Sequence, residues 1–291
     1  MHEPATIDRA LFRTLLVLGR VSNLPTVWSN CLAGWLLGGG GSAWKFLLLC
    51  FGATCLYIGG MYLNDAFDVE FDRQFRRDRP IPSGAISLET VWKWGVGWMI
   101  LGAASLIFLG SSVSVVALLL GGAIVLYDAV HKLVPFSPVL MAACRFLLFV
   151  LAAAAASEGI NGLVIWSALA LACYIVGLSY VARFESAPGA LRYWPVVFLA
   201  APLVLAQFVN AGPYKRLSLV LSTGLAIWIA LCLRHTFGGA HRKVARTVAG
   251  LLAGICLVDW LAVCSGSILV MTVFPMLLLA ALLGQRFVPA T

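Results

Sequence analysis

Apolar residues run through the chain in blocks of about 18 to 22, separated by short polar breaks. The blocks fall at roughly 22–40, 44–66, 88–110, 112–131, 138–156, 162–182, 193–210, 217–234, 246–264 and 267–284, each near the length that lets a helix cross a hydrocarbon core. Runs such as VVALLLGGAIVLY show none of the alternation expected of a membrane barrel, so the spanning elements are helices. The pattern predicts an all-α polytopic membrane protein, a single membrane domain over 1–291. Ahead of the first block, TIDRALFRTLLVLGR places Leu11, Leu15 and Leu18 on one helical face and Arg9, Arg13 and Arg20 on others. That predicts an interfacial amphipathic helix over 1–20, too polar for a signal peptide.

Composition adds a direction to this picture. The mean hydropathy is +0.97 and only 11% of residues are charged, yet the net charge is +8. With the N-terminus in the cytoplasm, every Lys and Arg but Lys45, Lys215, Arg216 and the intramembrane Arg145 falls on that side, as the positive-inside rule requires. The basic balance is therefore a topology signal, and no nucleic-acid partner is expected. The eight cysteines all lie in predicted spans without CxxC spacing and read as small buried hydrophobes.

One stretch breaks the apolar monotony. YLNDAFDVEFDRQFRRDRPIPSG, Tyr62 to Gly84, crowds acids and arginines at the end of the second block. With Asn64 at zero on a helical wheel, Asp68 falls near about 40°, Asp72 near about 80° and Asp65 near about 100°, while Glu70 points away near about 240°. Like charges about 6 Å apart repel by roughly 3 kcal/mol at an effective dielectric of about 20, which a purely structural face would avoid. Oxygen ligands at i and i+4 suit Mg²⁺, which takes one or two carboxylates together with substrate phosphates. Arg73, Arg76, Arg77 and Arg79 stand near enough to bind phosphate oxygens the metal leaves free. Loops after the fourth, sixth and eighth blocks open on the same side, so the cytoplasmic mouth is the expected site.

NDxxDxxxD followed by RxxxRDRPIPSG resembles the first aspartate-rich motif of the UbiA superfamily of intramembrane prenyltransferases, with Asn64, Asp65, Asp68, Asp72, Arg73, Arg77, Arg79, Pro80 and Gly84 on the pattern. Arg20 and Asn23 in GRVSNLPTVW resemble the polar opening of that family's first helix. The resemblance implies nine helices around a central cavity, here over 22–264, with an extra C-terminal helix at 267–284. It also implies Mg²⁺-dependent transfer of an isoprenyl group from a prenyl diphosphate to a small lipophilic or aromatic acceptor, within the lipid of a bacterial cell membrane. On that reading Asn64, Asp68 and Asp72 bind the metal, and Asp65, Asp68, Asp72 and Tyr127 are catalytic. Arg20, Asn23, Asn64, Arg73, Arg77, Lys132, Arg145, Tyr180 and Arg183 bind substrate.

Two departures from the family pattern matter. After the fourth block the lysine comes one residue late, with His131 at the i+4 position from Tyr127, so either His131 or Lys132 is the phosphate contact, and Asp128 is expected to pair with Lys132. After the sixth block the second acidic motif is replaced by GLSYVARFESAPGALRYW, in which Glu185 faces away from Ser179, Tyr180, Arg183 and Ser186. Arg183 is expected to neutralise the diphosphate where the family uses a second metal. The YVARFE stretch resembles the divergent EboC-like branch, which implies work on a secondary metabolite. The rival reading is a catalytically silent relative that binds or translocates an isoprenoid lipid. Arg145, costly inside a membrane, is expected to face a cavity or pair with Asp128, and Asp259 to satisfy a neighbouring helix. Trp28, Trp35, Trp92, Trp94 and Trp98 are expected at the interface.

Overall fold

The computed structural model describes residues 5–183, 193–210, 212–238 and 242–290, with side chains from residue 11 onward. Glu185 and Ser186 of the altered sixth-block motif lie outside the described residues, as does the side chain of Arg9.

The predicted amphipathic segment is helix α1, Ala5–Leu18, with Leu18 buried and Phe12 exposed. The chain turns through Val21–Asn23 into α2, Leu24–Leu37, and then α3, Ala43–Phe67, which is prolonged by the short α4, Val69–Phe75. There follow α5, Leu88–Ile107; α6, Ser111–Val130; α7, Ser137–Ala154; and α8, Gly162–Ala182. The seventh block is bent at Ala200 into α9, Pro195–Leu199, and α10, Ala201–Val209. Then come α11, Lys215–Phe237; α12, Val244–Ala253; α13, Ile255–Val263; and α14, Ile268–Phe287. All ten apolar blocks fold as helix. Among the described residues, seven stretches are long and apolar enough to span a membrane, with α12 and α13 together forming one of them. The blocks folding as α2, α5 and α9–α10 are shorter or less apolar and fall below that measure.

Two apolar cores meet at α2 and α7. One joins α2, α3, α5, α6 and α7, and the other joins α2 and α7 to α8 through α14. Close approach is made possible by small residues, as lipid-facing helices require. A Cβ on Gly102 of α5 would stand 2.9 Å from the Gly52 carbonyl oxygen of α3, so these two backbones nearly touch.

At the α12–α13 break at Gly254 the Gly250 carbonyl still accepts from Gly254 N at 2.9 Å, and side chains reach in to this carbonyl and the next. Tyr174 Oη donates to Leu251 O at 2.9 Å and Trp228 Nε1 to Gly250 O at 2.9 Å. Trp35, expected at the interface, is instead buried against Phe46, while Trp28 is partly exposed and donates to Thr54 Oγ1 at 2.9 Å. All eight cysteines are free thiols.

Candidate diphosphate and metal site

The two cores leave a cavity of ≈ 650 Å³ between α3, α6, α7, α8 and α12, with Arg20 and Asn23 of the turn before α2 on its wall. Its body is apolar, walled by residues such as Leu56, Leu120, Ile124, Met141, Leu148, Leu178 and Leu252. Its mouth is polar, because the end of α3, the end of α6, the start of α7 and the end of α8 all meet there.

Helix α3 delivers the acidic strip. Backbone hydrogen bonds continue through its junction with α4, from Asp68 N to Asn64 O at 3.0 Å and from Asp72 N to Asp68 O at 2.9 Å. Asn64, Asp65, Asp68 and Asp72 therefore stay on one side, and Glu70 turns outward to pair with Arg73 at 2.9 Å, its side chain 77% exposed. Neighbouring helices then divide the strip. Asn64 and Asp68 line the cavity, whereas Asp65 and Asp72, both expected to be catalytic and Asp72 also to bind metal, are buried behind its wall.

Asn64, Asp65 and Asp68 each have side-chain partners, whereas Asp72 Oδ1 is buried without one among the described residues. Asp65 Oδ1 pairs with Arg20 Nη2 at 3.0 Å and Arg79 Nη1 at 3.5 Å. Arg20 Nη2 also donates to Asn64 Oδ1 at 3.2 Å, and its backbone is left-handed at φ 41, ψ 46. A side chain in that region costs about 1–3 kcal/mol, so the surroundings hold Arg20 in place against its own preference. Asp68 Oδ1 is met by Lys132 Nζ at 2.8 Å and His131 Nε2 at 3.3 Å, so neither alone is the mouth cation at that position.

These contacts set the charges. Burial pushes the Asp68 carboxyl up, but hydrogen bonds from His131 and Lys132 outweigh it and hold Asp68 below its ordinary value. Burial pushes the His131 imidazole down, and the Asp68 carboxylate more than reverses that, raising it. Burial dominates at Asp72 and raises its carboxyl, only partly opposed by Arg79. Tyr127 lines the cavity and stacks on His131 with ring centroids 4.9 Å apart.

Several expected contacts are replaced by others. Asp128 does not pair with Lys132 or Arg145; its Oδ1 accepts from Asn64 Nδ2 at 3.0 Å, because the last turn of α6 faces α3. Arg73 and Arg77 do not line the cavity, and Arg77 Nε donates to the Arg73 carbonyl at 3.2 Å. Helix α4 stops at Phe75, so the chain turns and presents Arg76 and Arg79 to the cavity instead. Arg183 lines the cavity, but its donors hold the α6–α7 connection through the carbonyls of Val134 and Pro135 and through Ser137 Oγ. Tyr180 Oη meets the same Pro135 carbonyl at 3.4 Å. Asn23 lines the cavity and donates to the Ala290 carbonyl at 2.9 Å, so the tail after α14 forms part of the wall. No motif pointed to that tail, since a backbone carbonyl leaves no mark in the sequence.

The carboxylates on the wall among the described residues are Asp68 and Asp128, with the Asn64 amide beside them, and Asp128 Oδ2 is buried without a partner among those residues. Among those residues no group of three or more His, Cys, Asp or Glu is arranged to hold a metal by itself. The wall therefore fits a cation such as Mg²⁺ that takes one or two carboxylates and draws its remaining oxygens from water and a bound phosphate.

Apolar helices around an intramembrane cavity with an acidic and cationic mouth define an integral membrane protein. Residues 23–236 match the model of the UbiA prenyltransferase family, and the chain belongs to that family. It is 30% identical over 203 residues to a digeranylgeranylglyceryl phosphate synthase of Metallosphaera sedula, covering 68% of this chain and 61% of the relative. A relative of the same name from Methanoregula boonei is 31% identical over 124 residues, covering 43% of this chain and 44% of its own. The chain thus matches about half the length of these curated relatives. Among solved structures, a UbiA homolog from Aeropyrum pernix K1 superposes with a TM-score of 0.66 at 18% identity, covering 83% of this chain and 96% of that one. A structure concerned with digeranylgeranylglyceryl phosphate synthase in membranes gives 0.58 at 21% identity, covering 94% and 98%. At these identities the likeness is one of fold.

Proposed function

We propose that the cavity binds an isoprenyl diphosphate, head at the mouth and tail in the apolar body, and transfers its prenyl group to a small lipophilic or aromatic acceptor. One observation carries this reading: Asp68 stands on the cavity wall with His131 and Lys132 against it, with Arg20, Arg76 and Arg79 on the same lining. Acid and cations at one end of an apolar chamber match a ligand that is itself a polyanion on a hydrocarbon chain.

Asn64, Asp68 and Asp128 would hold Mg²⁺, which when bound neutralises charge on the departing diphosphate. Arg20, Arg76, Arg79, His131 and Lys132 hold phosphate oxygens as the bond from C1 to oxygen breaks. The bonding pair leaves with the diphosphate, the acceptor's electron pair takes its place at C1, and the acceptor then loses a proton. Asp65 and Asp72 act as positioning residues behind Arg20 and Arg79, and Arg183 keeps the connection after His131 and Lys132 in register. The N-terminus is proposed to be cytoplasmic, which puts the mouth on the side where soluble diphosphates are made.

The test is incubation of purified protein with radiolabelled prenyl diphosphates of several lengths, Mg²⁺ and a panel of aromatic and lipid acceptors. The expected result is diphosphate release coupled to a labelled lipophilic product. Tight donor binding without turnover across the panel would favour a silent carrier of isoprenoids.

A further inference from the structure

Arg145 lies eight residues beyond Ser137 in α7, about 12 Å of helical rise from the mouth. It lines the cavity and is only 9% exposed. Its Nη1 donates to Asn30 Oδ1 at 2.8 Å and its Nη2 to Thr26 Oγ1 at 3.0 Å, both neutral oxygens of α2. Among the described residues no carboxylate forms an ion pair with it.

The counter-charge stands one residue behind. Asp259 on α13 is fully buried, and its Oδ2 accepts from Ser29 Oγ and, at 2.8 Å, from Asn30 Nδ2. The Asn30 amide thus faces Asp259 with its nitrogen and Arg145 with its oxygen. Through that relay Asp259 offsets the buried cation without occupying the guanidinium. A direct pair of the kind Arg20 makes with Asp65 would have filled donors that here remain available to the cavity.

We propose that Arg145 forms an anion subsite of its own, which receives a carboxylate or phosphate on the acceptor about two helical turns below the diphosphate. The acceptor would then lie with its acid toward Arg145 and its nucleophilic atom toward the mouth. The word acceptor rests on the prenyl-transfer reading, whereas the anion subsite does not.

Equilibrium binding to the full chain in detergent tests it with two probe pairs. One is 4-hydroxybenzoate against its methyl ester; the other is an isoprenyl glyceryl phosphate against its dephosphorylated alcohol. The unmodified protein should prefer the acid of at least one pair by about tenfold or more, and the pair that shows it identifies carboxylate or phosphate. Arg145→Gln should erase the preference. The double variant Arg145→Gln/Asp259→Asn, which removes the buried cation together with the acid behind Asn30, should erase it too and serves if Arg145→Gln does not fold. Equal binding of acid and neutral partner in both pairs, or a preference surviving in either folded variant, overturns the proposal. Donor affinity measured in parallel separates the two readings: a protein that binds no prenyl diphosphate but keeps an Arg145-dependent acid preference defeats only the prenyl-transfer reading.

Discussion

At the scale of single residues the mouth is a set of matched charges, and Asp68 is its pivot. In the free protein Asp68 is held by His131 and Lys132; on the proposed reading its carboxylate would hold the metal, and both cations would then be left to phosphate oxygens. Asp68→Asn keeps the shape and removes the charge; prenyl transfer should fall at least about 100-fold, read as labelled product per minute. The His131–Asp68 contact also predicts a pH dependence. Because His131 is raised, its share of stability is complete below the ordinary imidazole value and is lost as pH climbs through the raised one. Because Asp68 is lowered, its share is present above the ordinary carboxylate value and is lost as pH falls through the lowered one. His131→Asn should therefore flatten the decline in melting temperature between about pH 6 and 8. An unchanged slope would show that the pair contributes nothing there.

At the scale of elements, the site depends on how closely α3 is held. The Gly52–Gly102 approach leaves no room for a side chain, so Gly102→Val should destabilise by about 1–3 kcal/mol and shift Asn64 and Asp68 with α3. Thermal unfolding together with donor affinity checks both effects. Tyr174→Phe leaves the Leu251 carbonyl at the α12–α13 break unpaired and should cost about 1–3 kcal/mol. The sequence periodicity located the ten helical blocks because apolar runs in a membrane have one backbone solution. It also placed Glu70 outside and Asn64 with Asp68 inside, since α3 and α4 keep helical register. Periodicity could not show that α4 ends at Phe75, so extrapolating the helix selected Arg73 and Arg77 where the turn presents Arg76 and Arg79. Nor could it show that Asp65 and Asp72 face arginines behind the wall, because that depends on which helices pack against α3.

For the molecule as a whole, the family membership follows from residues 23–236, but the cavity draws on more than that stretch. Arg20 precedes it, and Val248, Leu252 and Ala290 follow it, so both flanks of the matched region close the chamber. Asp259 likewise lies outside the match yet sets the state of Arg145 within it. This explains why a motif read at Tyr62 to Gly84 was informative about the mouth and silent about the walls. Motifs record chemistry local in sequence, whereas the chamber is assembled from helices distant in it. The proposed metal-assisted diphosphate site at this mouth can be tested without knowing the acceptor. The affinity of purified protein for a labelled prenyl diphosphate is measured with Mg²⁺ and with EDTA, in the unmodified chain and in Asp68→Asn. EDTA should weaken binding by about tenfold or more and Asp68→Asn should bind weakly with either; equally tight binding in EDTA and in the variant would mean that no metal-assisted diphosphate site exists at this mouth.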